Sequence, residues 1–381
     1  MKIQQLIQGS IDFVKQIPLK YYNNKMCLKY RLAKINNTLV ISNDYYLYQF
    51  DFVNELNIDN VQINKCYNVK FGEVQINCSE LTIQFCRLKN IVGISAIKHL
   101  KYLDLESNQI TDCTPLQELV QLNQLILNKN LIQNIQPLVN LKQLQVLSIS
   151  QNKIENISHI KEFVQLTYLD ISQNQIYEIS AIQHLVNLTY LCIYWNHIND
   201  LRPLCNLVNL VELSAGSNMI TDISPLFNKT KLTKLYLHLN KIVDIYALQF
   251  LSSLHSLVLE GNQILFIEPL HNLSQLQYLN LKSNKIADLS PVSNHTYFKS
   301  FYLSLQTVPT QQQFLFALKI KQQNILNALI RTNSKQNSLI YLNFSNMKQL
   351  IKATVDSSFN FSLHFSERVS NLFLEQSCDY Q

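Results

Sequence analysis

The segment LTYLDISQNQI (residues 166–176) recurs 22 residues later as LTYLCIYWNHI (residues 188–198), and this repeat decides the fold. Nine consecutive copies carry an asparagine at the same place. Leucines stand eight and five residues before each asparagine, and an isoleucine stands two residues after it. A fixed period of this length with so many copies predicts a stacked repeat array. The nine asparagines are Asn108, Asn130, Asn152, Asn174, Asn196, Asn218, Asn240, Asn262 and Asn284.

Each copy also contains a short alternation of apolar and polar residues, such as Leu103-Asp104-Leu105. This alternation predicts a short strand with one face turned inward. Successive strands should stack in parallel at about 4.8 Å, so that inward leucines contact their counterparts in the neighbouring copies. Stability is then a sum of weak units and of the interfaces between them.

The repeated asparagine answers a need of the turn that follows the strand. Its amide both donates and accepts hydrogen bonds, so we expect it to bridge the open backbone of its own turn and the next one. Replacing Asn174 or Asn196 by alanine should cost at least about 1–3 kcal/mol. On the return side, Ser224-Pro225 and Ser290-Pro291 resemble a capping serine followed by a first-turn proline. We expect single 3₁₀ or α turns there.

The unit reads L-x-x-L-x-L-x-x-N-x-I-x-x-I-x-P-L-x-x-L and resembles the leucine-rich repeat. In detail it is similar to the 22-residue variant found in the regulatory subunit of type-1 protein phosphatase and in bacterial internalins. The resemblance covers roughly residues 81–308. It implies a leucine-rich repeat solenoid, a right-handed curved coil with a parallel β-sheet on the concave face and short turns on the convex face.

Outside the regular copies we predict three regions: an N-terminal cap with degenerate repeats (1–55), the solenoid (56–309) and a mainly helical C-terminal tail (310–381). Leu56-Asn57-Ile58 imitates a repeat, 25 residues before Leu81. In the tail, Ile325, Leu326, Leu329 and Ile330 recur at helical spacing. Residues 348–355 and 367–374 favour further helices, and residues 359–365 favour a strand. The tail either caps the solenoid or forms a separate binding element.

Charge and cysteine usage bound the function. The net charge of +6 is spread without a basic block, which argues against nucleic-acid or membrane binding. Residues 1–14 hold no continuous apolar segment of signal-peptide length, and no apolar run reaches membrane-spanning length, so we expect neither a signal peptide nor a membrane span. The eight cysteines show no C-x-x-C pair, which favours buried free thiols in a reducing interior. We therefore expect a monomeric protein of the cytoplasm or nucleus.

Outward strand positions carry the candidate binding residues. Residues two, four and six before each asparagine should point out of the sheet and contribute little to packing. Near the middle of the sheet these positions are rich in tyrosine. Trp195, the single tryptophan, directly precedes Asn196. Exposed aromatics at the centre of a sheet are typical interface anchors, although a chain with 19 tyrosines can also cluster them by chance. The predicted partner-binding residues are Tyr168, Asp170, Tyr190, Tyr194, Trp195, Glu212, Tyr236, His238 and Glu260.

Four functional hypotheses follow. The leading one is a non-enzymatic scaffold that binds a partner protein on the concave face. The resemblance also implies a regulatory subunit that docks a phosphatase catalytic subunit through acidic and aromatic groups, or an internalin-like surface adhesin. An enzyme with its chemistry in residues 310–381 is the last. We expect no catalytic residue, no metal and no cofactor, because no phosphate loop, metal-spaced His/Cys cluster or nucleophile elbow occurs in the sequence.

Overall fold

A computed structural model describes residues 76–292, 295 and 298–302 together with nine isolated short strands on either side. The predicted helices at residues 348–355 and 367–374 and the predicted strand at 359–365 lie outside the described part. Within the predicted cap (1–55), only residues 15–16, 31–35, 38–42 and 50–51 are described. By internal contacts the chain divides into two units, Met1–Asn218 and Met219–Gln381, and each is described by itself.

In the first unit, one short strand occurs per repeat at the place that the alternation predicts. The regular repeats contribute strands of three residues, each centred on the second leucine of the repeat, such as Leu103 in Tyr102–Asp104. The strands are Lys15–Gln16, Arg31–Ile35, Thr38–Ser42, Phe50–Asp51, Leu56–Asn57, Asn60–Asn64, Val69–Lys70, Ile76–Asn77, Glu80–Gln84, Tyr102–Asp104, Gln124–Ile126, Val146–Ser148, Tyr168–Asp170, Tyr190–Cys192 and Glu212–Ser214.

Register between neighbouring strands follows the repeat. Tyr168 pairs with Tyr190 and Leu169 with Leu191, each exactly one period apart in the chain, and all regular strands run parallel. The same pairing joins each strand from Glu80–Gln84 to Glu212–Ser214 with the next. The predicted parallel sheet of stacked repeats is therefore confirmed.

The sheet also continues toward the N-terminus, with altered spacing. Strand Thr38–Ser42 pairs in parallel with Asn60–Asn64, which pairs in parallel with Glu80–Gln84. The partner of Leu81 is Val61. The sequence suggested Leu56 instead, but a strand is positioned by its hydrogen-bonded neighbour as well as by its own pattern. The three region boundaries remain predictions.

Return segments of the first unit form short 3₁₀ turns, as expected. Each is three or five residues long, since the segment is too short to hold a longer helix. They are Ile94–Ala96, Thr114–Leu116, Gln136–Asn140, Ser158–Glu162, Ser180–His184 and Arg202–Leu204.

Capping of these turns differs from the expectation. In the second unit, Ser224 begins its turn, and its N–H donates to Asp222 Oδ1 at 2.8 Å. Ser290 donates in the same way to Asp288 Oδ1 at 2.9 Å. The prediction that the serine caps the turn was wrong: the residue two before it does so, because a short carboxylate side chain can accept the N–H two residues on. In the first unit, Asn134 and Asp112 act alike.

The core of each unit is a set of apolar ladders. The two leucines and the isoleucine that define the repeat are buried in every regular copy, for example Leu166, Leu169 and Ile176. Cys113 takes an inward isoleucine position and is buried, and Cys78, Cys86 and Cys192 are buried as well. Cys205 is exposed, which corrects the expectation of buried thiols at this residue, because it stands at the outer end of a return turn. Cys27, Cys66 and Cys378 lie outside the described residues.

The second unit continues the same design. Its regular strands are parallel and in the same register, so that Leu235 pairs with Leu257 and Leu257 with Leu279. Its strands are Lys234–Tyr236, Ser256–Val258, Tyr278–Asn280, Ser300–Tyr302, Asn327–Arg331 and Leu339–Asn343, and its 3₁₀ turns are Ser224–Leu226, Tyr246–Phe250, Glu268–Leu270 and Ser290–Val292.

One predicted helix is replaced by a strand. Asn327–Arg331 pairs in parallel with Ser300–Tyr302 and antiparallel with Leu339–Asn343. The helical spacing of Leu329 and Ile330 with their neighbours was a misleading signal there. The last repeat strand has an open edge, and pairing its backbone groups outweighs a weak local helix preference. In the described part of the chain, no helix has the length and apolar character needed to cross a membrane.

Candidate functional site

The asparagine ladder holds each strand in place. Asn174 Nδ2 donates to Ile149 O at 3.0 Å in the preceding repeat and to Ile171 O at 3.1 Å in its own. Its Oδ1 accepts the N–H of Ile154 at 3.0 Å. The amide therefore joins its own turn to the preceding turn, not to the next one as we expected. Eight of the nine ladder asparagines are buried, and Asn218 is half-buried.

The residue before each ladder asparagine has a left-handed backbone. Its φ is 52–59° in the eight regular copies that carry a side chain there, and 70° at Gly261. This conformation costs an L-residue roughly 1–2 kcal/mol. Trp195 occupies this place with φ 54°, and 59% of its surface is exposed. The tryptophan is therefore an exposed side chain held in a strained position.

In each unit taken by itself, we call the surface formed by residues six, four and two before each ladder asparagine the strand face of that unit. At its middle in the first unit, the rings of Tyr168 and Tyr190 stack in parallel, with centroids 4.2 Å apart and planes at 2°. They are adjacent because they pair directly across neighbouring strands. Burial raises the pKa of both phenols, so both hydroxyls are neutral at physiological pH. The pair presents a half-buried aromatic surface.

Polar groups surround this stack. Asp170 is half-buried, and its Oδ1 accepts the N–H of Ser172 at 2.9 Å and its hydroxyl at 2.6 Å. Glu212 occupies the place of Tyr190 in the next repeat. Cys192 is on the strand between those that carry Asp170 and Glu212. It is buried, and this burial raises the pKa of its thiol. A protonated thiol is a poor nucleophile, so the cysteine contributes packing here.

Tyr194 and Trp195 form a second aromatic pair at the end of the same strand. Their ring centroids are 5.9 Å apart with planes at 81°, an edge-to-face arrangement. Such contacts restrict both side chains without covering the tryptophan. The structure thus brings Tyr194 and Trp195 together. The other four predicted residues of the first unit lie on three neighbouring paired strands: Tyr168, Asp170, Tyr190 and Glu212.

Three predicted residues belong to the second unit. Tyr236, His238 and Glu260 all stand at outward positions. Burial lowers the pKa of the half-buried His238, and the Glu260 carboxylate opposes that effect. The sequence offered no carboxylate near this histidine, because Glu260 is one repeat away. Glu260 also accepts a hydrogen bond from Asn280 Nδ2 at 2.7 Å.

The early end of the strand face is more tightly packed than we expected. Asp104 is buried and accepts hydrogen bonds from Gln84 Nε2 at 2.6 Å and from the N–H of Glu106 at 2.9 Å. Burial raises the pKa of its carboxyl. Ser148 and Asn280, at the same place in other repeats, are buried too. The expectation that outward residues pack little fails at this position, because neighbouring strands stack equivalent side chains about 4.8 Å apart.

Sequence reasoning missed a further aromatic cluster in the second unit. Tyr278 and Tyr302 lie with ring centroids 5.5 Å apart, and Lys282 Nζ stands 4.9 Å from the centroid of Tyr302. Tyr278 and Lys282 were visible as outward residues, but Tyr302 stands before Gln306 and not before a ladder asparagine. Its alignment with Asn280 across the sheet was the missing information.

The described residues contain no group of three or more His, Cys, Asp or Glu side chains placed to hold a metal ion. A shallow cleft of about 580 Å³ in the second unit is lined by residues at the starts of its strands, among them Lys234, His255 and Lys299.

Three family models match parts of the chain. "Leucine Rich repeats (2 copies)" matches residues 252–294, "Leucine rich repeat" matches residues 120–176 and "Leucine Rich repeat" matches residues 96–112. No curated protein matches the sequence.

Solved structures with a similar fold come from several organisms. An internalin from Listeria monocytogenes is 29% identical, with a TM-score of 0.57, over 67% of this chain and 82% of that one. A leucine-rich repeat protein from Leptospira interrogans is 20% identical, with a TM-score of 0.59, over 74% and 80%. The ectodomain of an Arabidopsis thaliana membrane receptor kinase, solved in complex with CASPARIAN STRIP INTEGRITY FACTOR 2, is 20% identical, with a TM-score of 0.59, over 73% and 37%. The last two likenesses concern the fold alone.

Proposed function

Since the chain is a leucine-rich repeat protein, we propose that it is a non-enzymatic scaffold that binds a partner protein on the strand face of its first unit. The partner presents basic side chains together with apolar or planar groups that cover the tyrosines. Tyr236, His238 and Glu260 are proposed as partner contacts in the second unit.

One observation carries this proposal: the Tyr168–Tyr190 stack stands on a face whose charged residues are all acidic. From Glu80 to Gly216, the outward strand positions hold no lysine or arginine, although the whole chain has a net charge of +6. An acidic surface with aromatic rings favours arginine and lysine through ion pairing and cation–π contact. The acidic residues at these positions are Glu80, Asp104, Glu106, Asp170 and Glu212.

The rigidity of the face supports binding. The regular strands around the stack are joined to their neighbours by backbone pairing and by the asparagine ladder, and the stacked rings restrict one another. A preformed surface loses little conformational entropy when a partner docks, so more of the contact energy appears as affinity.

The chemistry of the described site favours binding over catalysis. Burial raises the pKa of the Cys192 thiol and lowers that of the His238 imidazole. A nucleophilic cysteine needs a lowered pKa, because the thiolate is the reactive form.

The test is a paired affinity capture with the full chain as bait. The variant carries Tyr168→Gln, Tyr190→Gln and Trp195→Gln. Other repeats carry glutamine at the same places, as Gln124 and Gln151 do, so the frame should tolerate it. We expect a partner retained by the unmodified chain to be lost by the variant, since one anchor contributes about 2 kcal/mol or more.

The matched control is Tyr177→Thr, which removes an exposed tyrosine from the return side. Threonine is the residue that another repeat carries at the same place, as Thr111. It should capture the same partner as the unmodified chain. Identical capture by all three baits, with equal melting temperatures, would rule out the strand face of the first unit.

Two alternatives keep specific support. The likeness to an internalin favours a surface adhesin, whereas the exposed Cys205, a thiol outside any disulfide, favours a reducing compartment such as the cytoplasm or nucleus. Labelling of intact cells with a membrane-impermeant biotin reagent separates them, because only an adhesin is labelled. Regulation of a phosphatase catalytic subunit remains a hypothesis that the same capture addresses, through the identity of the retained partner.

A further inference from the structure

The return side of the second unit exposes a cluster of large apolar side chains. Phe266 and Tyr246 are 71% and 61% exposed, and the rings of Tyr246 and Phe250 meet edge to face with centroids 5.9 Å apart. The turns that carry them pack side by side, Ser224–Leu226 against Tyr246–Phe250 and the latter against Glu268–Leu270. We call this surface the return patch; its residues are Phe227, Val243, Tyr246, Phe250, Leu265 and Phe266.

The repeat itself does not require these residues. In the first unit, the places four, six and ten residues after each ladder asparagine hold polar residues in every regular copy. Asn134 and Asn156 stand where the second unit has Phe266, Ser158 and Ser180 where it has Tyr246, and Asn140 and Asn206 where it has Phe250. The same turns therefore form with polar residues.

Phe266 also gives up a stabilising contact. At this place Asn134 Oδ1 accepts the N–H of Gln136 at 2.9 Å, and Asp244 Oδ1 accepts the N–H of Tyr246 at 2.8 Å. A phenylalanine side chain has no acceptor for such a bond. A residue that weakens the turn and exposes an aromatic ring serves contact with another molecule better than it serves the fold.

The charges around the return patch identify the kind of partner. Segments 221–228, 243–250 and 265–272 contain no lysine or arginine, and each contributes one exposed carboxylate: Asp222, Asp244 and Glu268. An apolar surface rimmed by acids is complementary to an amphipathic helix with aliphatic residues on one side and lysine or arginine beside them. We propose that the return patch docks a basic amphipathic helix of a partner protein, independently of the strand face.

The experiment measures fluorescence anisotropy of a labelled synthetic helix of leucine and lysine with the full-length chain. The variant carries Phe266→Asn, Tyr246→Ser and Phe250→Asn, all residues that the first unit has at the same places. We expect the variant to bind the peptide about ten-fold or more weakly. Phe266→Asn alone should also weaken binding while the melting temperature stays level or rises, because it restores a capping acceptor.

Controls separate this proposal from general stickiness. Tyr177→Thr, on the return side of the first unit, should leave peptide binding unchanged. Asp244→Asn should weaken it, because the cap is kept but a charge is removed. A helix of leucine and glutamate should not bind.

Three results would overturn the proposal. One is that the unmodified chain, the triple variant and the single variant Phe266→Asn bind the leucine–lysine helix with equal affinity. Another is equal binding of the two peptides. The third is light scattering that shows a dimer of the unmodified chain and a monomer of the triple variant, since the patch would then contact a second copy.

Discussion

Asn174 shows how one side chain connects two repeats. It is buried, its nitrogen donates to carbonyl oxygens of its own and of the preceding repeat, and its oxygen accepts the N–H of Ile154. A buried backbone group that loses its partner costs about 1–3 kcal/mol. Even Cys86, which replaces the asparagine in an early copy, has its own N–H accepted by Asn108 Oδ1 at 3.0 Å. The ladder thus serves the backbone of the preceding coil.

We predict that Asn174→Ala lowers the free energy of unfolding by about 2–4 kcal/mol, since it leaves buried groups of two repeats unpaired. Urea denaturation followed by circular dichroism measures the change. Gln175→Ala, an exposed neighbour, is the control and should stay within about 0.5 kcal/mol of the unmodified chain. An equal and small effect of both substitutions would show that water replaces the amide at no cost.

The backbone conformation of the repeat fixes the position of Trp195, and the exposure of its side chain makes it available for binding. Its φ of 54° is the same as in copies that carry serine or glutamine. The side chain of Trp195 points outward from this left-handed turn, and the ladder asparagine after it turns inward. An aromatic side chain at such a place adds nothing to the core and is available for binding.

At the scale of the element, most of the described 3₁₀ turns begin with a hydrogen bond to a short side chain two residues before them. Asp112 Oδ1 accepts the N–H of Thr114 at 2.8 Å and its hydroxyl at 2.6 Å. These hydrogen bonds lower the pKa of the Asp112 carboxyl, because they favour the charged form. The turn and the ionisation of the aspartate are therefore coupled.

We predict that Asp112→Ala lowers the free energy of unfolding at neutral pH by about 1 kcal/mol, and that Asp112→Asn, which keeps an acceptor, costs less. Folding lowers the pKa of Asp112, so its charge stabilises the fold above the ordinary value of 3.8. That contribution disappears as the pH falls through the lower value of the folded state.

Urea denaturation of the unmodified chain and of Asp112→Asn at a series of pH values checks this. The gap between them should close on acidification. Comparing the two proteins is necessary because burial raises the pKa of Asp104 and gives the opposite pH dependence. A gap that is constant with pH would mean that the charge of Asp112 does not stabilise the turn.

At the scale of the molecule, charge is distributed unevenly. The chain carries +6 overall, yet the outward strand positions from Glu80 to Gly216 hold five acids and no lysine or arginine. Glu106 is paired with Lys129 at 2.8 Å, whereas Asp170 stands beside the tyrosine stack. The lysines and arginines that give the chain its positive net charge therefore lie outside these positions. This part of the strand face of the first unit attracts cations although the whole chain is positively charged.

We predict that capture of the strand-face partner weakens with ionic strength, because screening shortens the reach of these charges from about 10 Å at 0.1 M salt to about 3 Å at 1 M. Binding measured across that range should lose affinity steadily. The doubly neutralised variant Asp170→Ser with Glu212→Gln should show a smaller salt dependence. Ser148 and Gln124 already stand at these places in other repeats. A partner bound equally at all salt concentrations would imply a purely apolar contact.

The sequence alone determined the period, the short strand and turn in each repeat, and the inward or outward direction of most side chains. These features follow from local patterns, because a residue that is apolar in nine copies can only be stable inside the coil. The aromatic and acidic character of the strand face was also visible, since outward positions can be counted from the asparagine.

Only the tertiary structure decided what depends on contacts between repeats. It set the direction in which Asn174 reaches, the parallel stacking of Tyr168 on Tyr190, the burial of Asp104 and the strand at Asn327–Arg331. Each depends on groups in another repeat or on an open sheet edge. A pattern within one repeat carries no information about the distance and angle at which such groups meet, because packing against neighbours fixes them.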